Sequence, residues 1–189
     1  MGAVVTESTQ ELAAHLRGIF VARHGETDYN AGQRFQGQLP VALNAKGRAQ
    51  AAELAELAAG HDFCVLWCSP LARARETAEI VGARIGLVPI EDVRLAETDA
   101  GDWTDRPWSE IEKEDPEKFA AFMSAAPEFA FPGGESYAEQ SARMLAALRE
   151  IAAGPKPALV VCHALSIRLA LTRLGRERDR VANGALIEL

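Results

Sequence analysis

The stretch Ile19-Phe20-Val21-Ala22-Arg23-His24-Gly25-Glu26 opens on four apolar residues, two of them β-branched, and turns abruptly polar. A short apolar run closed by a glycine-containing polar segment reads as a strand buried on both faces and followed by a loop. The pattern recurs in Phe63-Cys64-Val65-Leu66-Trp67-Cys68 ahead of Ser69-Pro70, and in Ala158-Leu159-Val160-Val161-Cys162 ahead of His163. Residues 87–90 and 185–189 read as two further strands. Helical patterns fill the intervals. Asn44 caps a helix over 45–59 that stops at Gly60, and a second runs from Leu71 to about Ile85 and stops at Gly86. After a loop over 94–107, a polar helical stretch breaks near Asp115-Pro116, and Pro132-Gly133-Gly134 resets the chain. The longest helix starts at Glu135, with Tyr137, Met144, Leu145, Leu148, Ile151 and Ala152 on a 3.6-residue period. A last helix covers 165–174. Unbroken apolar strands alternating with amphipathic helices predict an α/β fold: three layers, a mainly parallel sheet with helices on both faces.

With 189 residues, 48% apolar and 25% charged, the chain has the size and balance of one domain, expected over 18–189, and residues 1–17 read as an extension before it. A net charge of −7 speaks against nucleic acid as a partner, because phosphate backbones require a basic footprint. No apolar run approaches the roughly 18 residues of a membrane span, and no secretory pattern opens the chain. Cys64, Cys68 and Cys162 contain no CxxC pair and read as small buried apolar side chains in a reducing compartment. The expected location is the cytoplasm. Arg173, Arg176, Arg178 and Arg180, interleaved with Glu177 and Asp179, read as a solvated face.

In a parallel sheet, ligands bind beyond the carboxyl ends of the strands. There the topology gathers Arg23 and His24, Ser69 and the helix start near Arg73, and Cys162-His163. Two imidazoles among guanidiniums make an anion site with a nucleophile. A neutral imidazole nitrogen attacks phosphorus near neutral pH, fixed guanidiniums stabilise the transferring charge, and no metal is required. The adjacent cations favour a neutral His24. Glu97, on the loop after the third strand, is placed to donate a proton to the leaving oxygen.

These residues fall in blocks. Arg23-His24-Gly25-Glu26-Thr27 with Asn30, then Ser69-Pro70-Leu71-Ala72-Arg73-Ala74 with Thr77-Ala78, are similar to two signatures of the histidine phosphatase superfamily, the phosphoglycerate mutase-like proteins. Leu95-Ala96-Glu97 with Gly101 and Trp103, Pro132-Gly133-Gly134-Glu135-Ser136, and Val160-Val161-Cys162-His163 with Ile167-Arg168 resemble three more. The resemblance implies His24 as the phosphorylated nucleophile and Glu97 as general acid and later base. Arg23, Arg73 and Asn30 hold the phosphoryl group on this reading, with His163 as its charged partner, while Gln36-Gly37 lines the substrate entrance. Ala164 replaces the family's usual glycine beside the phosphate, and its methyl is expected to narrow the pocket; Thr104 follows Trp103 where Glu is common. The implied activity is hydrolysis of a small phosphorylated metabolite without cofactor or metal, by one chain or a homo-oligomer. Two alternatives stay open: a bisphosphoglycerate-dependent mutase, against which few basic residues stand between Trp108 and Pro132, and a non-catalytic module that binds phosphorylated ligands.

Overall fold

A computed structural model of the chain describes residues 8–176 and 180–189. In order these form α1 (Thr9–His15), β1 (Ile19–Arg23), α2 (Asp28–Ala31), α3 (Ala45–Ala58), β2 (Val65–Cys68), α4 (Ala72–Ile85), β3 (Ile90–Glu91), α5 (Trp108–Glu114), α6 (Pro116–Met123), α7 (Tyr137–Ala152), β4 (Ala158–Cys162), α8 (Ala164–Arg173) and β5 (Leu186–Glu188). The strands make one sheet in the order β3-β2-β4-β1-β5, parallel throughout except for β5, which runs antiparallel to β1.

All five residues of β4 are buried, and their alternation shows why the run is unbroken. Ala158, Val160 and Cys162 pack into a cluster with Leu145 and Leu148 of α7 and Ile167 and Leu171 of α8. Leu159 and Val161 face the opposite side, against Leu54 of α3 and Ala74, Ala78 and Val81 of α4. A strand covered by helices twice has no solvent face on which to place a polar residue. A third cluster, mostly aromatic, joins Phe35, Trp103, Phe122, Phe129, Phe131 and Tyr137 into a roof beyond the strand ends.

The structure departs from the sequence expectation at several points. The helix within the expected extension is core: Leu12 and Leu16 are buried with Ile19, Val21 and Leu148. Its boundaries are set by a Ser8–Glu11 capping box, in which Ser8 Oγ accepts from Glu11 N while Glu11 receives Ser8 N–H. The third strand is only Ile90–Glu91. Pro89 has no N–H to give a ladder, and Leu87 O lies so close to Gly82 that a Cβ there would approach it to 2.3 Å, so this segment stays against α4. Helix α7 begins after Ser136, whose hydroxyl accepts from Glu139 N, leaving Glu135 outside the helix. Cys68 and Cys162 are buried, but Cys64 is exposed. Of the arginine-rich run, residues 177–179 lie outside the described residues.

Candidate active site

Parallel neighbours bring the functional residues to one edge. Arg23 of β1 sits opposite Cys162 of β4, and Cys68 of β2 opposite Val161, so His24, His163 and Ser69 emerge side by side. His24 N donates to Cys162 O at 3.1 Å and Ser69 N to Val161 O at 3.0 Å, which carries the ladder one residue past the strands. The His24 and His163 rings lie 5.1 Å apart between centroids, and both are buried. Gly25 is required by packing. A Cβ there would lie 2.1 Å from Gly47 O, because α3 crosses against the chain at this point, and one on Gly47 would lie 2.0 Å from Glu26 O.

His24 Nδ1 lies 2.6 Å from Gly25 O. A carbonyl only accepts, so Nδ1 carries the proton and Nε2 holds the lone pair. Arg73 Nε donates to that Nε2 at 3.3 Å, consistent with the assignment. Burial, reinforced by the guanidiniums of Arg73 and Arg23, holds His24 well below the usual histidine range. Arg73 and Arg23 are themselves lowered by burial to about 10 and remain cations at neutral pH.

Arg73 is less a free clamp than expected. Its Nη1 donates to Leu39 O at 3.1 Å and its Nη2 to Gly37 O at 2.9 Å, so it fixes the 37–39 segment while each terminal nitrogen keeps a second N–H. Arg23 Nη1 donates to Val181 O at 2.6 Å, and its Nε is buried with no partner among the described residues. His163 Nε2 lies 2.8 Å from Ser69 Oγ, and its Nδ1 is likewise buried and unpartnered. Burial, then Arg73, His24, Arg23 and Arg143, hold His163 well below the usual range, which disfavours the expected charge and favours a ring that donates one N–H.

Asn30 Oδ1 accepts from Thr27 N at 3.2 Å and from Asn183 Nδ2 at 3.3 Å, and the single Thr27 hydroxyl hydrogen is shared between Asn30 Oδ1 at 3.2 Å and Gln36 Oε1 at 3.0 Å. Glu97 Oε1 accepts from Thr98 N at 3.0 Å and Ser166 Oγ at 3.3 Å. A cleft of about 530 Å³ is lined by Arg23, His24, Asn30, Gln36, Gly37, Arg73, Glu97 and Ala164; His163 lies behind its surface. Ala164 is the first residue of α8 and has no positive φ, so the helix tolerates a side chain where the resemblance expects glycine. Arg180, expected on a solvated face, is exposed but lines the cleft.

Sequence reading missed several participants. Asn183 donates to His24 O at 3.0 Å as well as to Asn30, across 159 residues of sequence, and nothing around it marks the contact. Thr27, Gln140 and Ser166 are fully buried polar side chains, which only the fold reveals. The glycines of two blocks explain each other: Cβ atoms at Gly101 and Gly134 would meet Pro132 O at 2.2 Å and Asp99 O at 2.5 Å, so the Pro-Gly-Gly turn is pressed against the Glu97 loop.

The profile of the histidine phosphatase superfamily (branch 1) matches residues 19–183, and the chain belongs to this family. A glucosyl-3-phosphoglycerate phosphatase of Mycobacterium tuberculosis is 39% identical over 137 residues, 72% of this chain and 61% of its own length. A probable phosphoglycerate mutase of Klebsiella pneumoniae is 36% identical over 152 residues, 79% of this chain and 70% of its own. The structure of mycobacterial glucosyl-3-phosphoglycerate phosphatase with VO3 superposes with a TM-score of 0.80 at 30% identity, covering 90% of each chain. The chain therefore spans about three fifths (61%) of the first curated relative and nearly all of the solved one.

Proposed function

We propose that the chain is a phosphomonoester hydrolase that works through a phosphohistidine at His24. The observation that carries this is the assigned lone pair of His24 Nε2, on a neutral imidazole between the guanidiniums of Arg23 and Arg73 at the floor of a cleft. Nε2 forms the bond to phosphorus as the P–O bond to the leaving group breaks, and Glu97 gives its proton to the departing oxygen. The positive charge gained by the imidazole is offset by the Nδ1–H bond to Gly25 O and by the dianion it now bears. Arg23 Nε and His163 Nδ1, both buried donors with no partner among the described residues, are assigned to the phosphoryl oxygens with Arg73 and Asn30. Water then attacks phosphorus, its proton passes to Glu97, the N–P bond breaks, and His24 is restored as Nδ1–H imidazole.

Gln36, Gly37 and Ala164 line the cleft and are assigned to the leaving group. The cleft's volume and its mixture of aromatic walls with Arg34, Arg168 and Arg180 suit a small polar phosphorylated metabolite, in line with the substrate named for the mycobacterial relatives. The free thiols of all three cysteines accord with a reducing, cytoplasmic setting. No described helix is long and apolar enough to cross a membrane.

The test is phosphate release from an aryl phosphate in the presence of chelator, with trapping of the phosphoenzyme by an alkaline denaturing quench. Wild type should turn over and form an acid-labile phosphoprotein, and His24→Ala should do neither. Turnover unchanged in His24→Ala overturns the nucleophile. Binding without turnover supports a phospholigand module, and phosphoryl exchange exceeding hydrolysis supports a mutase.

A further inference from the structure

Behind Glu97 lies a hydrogen-bond chain whose direction is fixed from end to end. Arg143 Nε and Nη2 donate to Glu135 Oε1 and Oε2 at 2.6 and 2.8 Å, a bidentate pair that leaves the guanidinium facing the loop before Glu97. Its Nη1 donates to Arg94 O at 2.8 Å and Ala96 O at 2.7 Å, and its Nη2 to Glu97 O at 3.1 Å. Three carbonyls of one loop are thereby held by a single cation. The Nη2 hydrogen not engaged by Glu135 is shared between Glu97 O and Gln140 Oε1. Because a guanidinium cannot accept, this contact sets the orientation of the Gln140 amide, and its NH2 donates to Ser166 Oγ at 2.6 Å. With that oxygen accepting, the Ser166 proton is directed onto Glu97 Oε1, 3.3 Å away.

Oε1 also accepts from Thr98 N, whereas Oε2 receives only the Leu165 N–H, at 3.5 Å. An oxygen that faces two donors cannot itself carry a hydroxyl hydrogen without a clash of protons. We infer that Arg143, Gln140 and Ser166 are positioning residues that force Glu97 to carry its transferable proton on Oε2, the oxygen left free for the substrate. This rests on the reading of Glu97 as general acid. The step it serves balances as stated above: Oε2–H goes to the leaving oxygen while the P–O bond breaks and the Nε2–P bond forms.

Protonation matters only for a poor leaving group, so the readout is kcat/KM, which covers transfer to His24, on two substrates: glycerol phosphate, an alkoxide leaving group, and para-nitrophenyl phosphate, whose phenolate leaves unprotonated. Ser166→Ala and Gln140→Met should each lose about ten-fold or more on glycerol phosphate, within the range a general acid supplies, and less than about three-fold on the aryl ester. In a Glu97→Gln background neither should cause further loss on glycerol phosphate, since there is no acid left to orient. Equal losses on both substrates, or undiminished losses in the Glu97→Gln background, overturn the relay. Glu97→Gln itself separates the two readings: a loss confined to glycerol phosphate upholds the acid whatever the relay does, and equal losses on both esters refute the acid and the relay with it. If one variant fails to fold by circular dichroism, the other decides.

Discussion

Lowering the pH from about 7.5 to about 5.5 should destabilise the protein through the two imidazoles of the site. His24 and His163 are buried, and in the folded chain both are held well below the ordinary histidine value of about 6.5. The sign follows from linkage. A depressed folded pKa means that below about 6.5 the unfolded chain binds protons that the native site refuses, so stability is intact above this range and falls as pH drops through the unfolded value. One pH unit below 6.5, an imidazole that stays neutral in the fold contributes a loss on the order of 1 kcal/mol, so the pair contributes at most about 3 kcal/mol. That is a large fraction of the roughly 5–15 kcal/mol available to a domain. Carboxylates such as Asp92 and Glu26, lowered from already acidic values by Arg94 and by Lys46 with Asn44, stay ionised across this window and add little. Urea unfolding of the wild type and of His24→Gln at the two pH values measures the effect. The neutral amide should remove about half of the pH-dependent loss. An identical loss in both proteins would refute the account, because it would mean that His24 takes up a proton in the native state as readily as in the unfolded chain.

Two further expectations come from packing. Gly25→Ala places a Cβ about 2.1 Å from Gly47 O, with backbone on both sides; α3 must move, at a cost of about 3 kcal/mol, and kcat/KM should fall with it because Gly25 O orients His24. A wild-type urea midpoint and rate would show the contact to be absent. Leu12→Ala should cost about 2–4 kcal/mol in the same assay, since Leu12 is buried against the sheet cluster; a loss under about 0.5 kcal/mol, typical of surface sites, would return residues 8–16 to the status of an appendage.

Much of the molecule was legible before folding was considered. The runs that became β1, β2 and β4 are apolar at every position or nearly so because both sheet faces are covered, and burial on two sides leaves a local mark in the sequence. The residues just past those strands include the two histidines and the serine, so the strand pattern alone located the cleft. Boundaries with a local chemical cause were readable as well: Asn44 accepting from Gly47 N opens α3, and left-handed Gly86 closes α4. Glycines told less, since Gly25 and Gly47, or Gly101 and Gly134, have reasons that exist only once distant backbones touch.

What tertiary structure decided is the partnering of polar atoms. Which nitrogen of His24 keeps its lone pair depends on a 2.6 Å contact to a carbonyl, and the depression of the His163 pKa depends on complete burial beside Arg73 and Arg23. The order of donors from Arg143 to Glu97 joins α7, α8 and the loop between β3 and α5, three segments separated by dozens of residues. Periodicity reports how a residue is buried by its own element. Hydrogen-bond direction is set by whichever donor or acceptor another element brings within reach, and that information is created only when the layers pack.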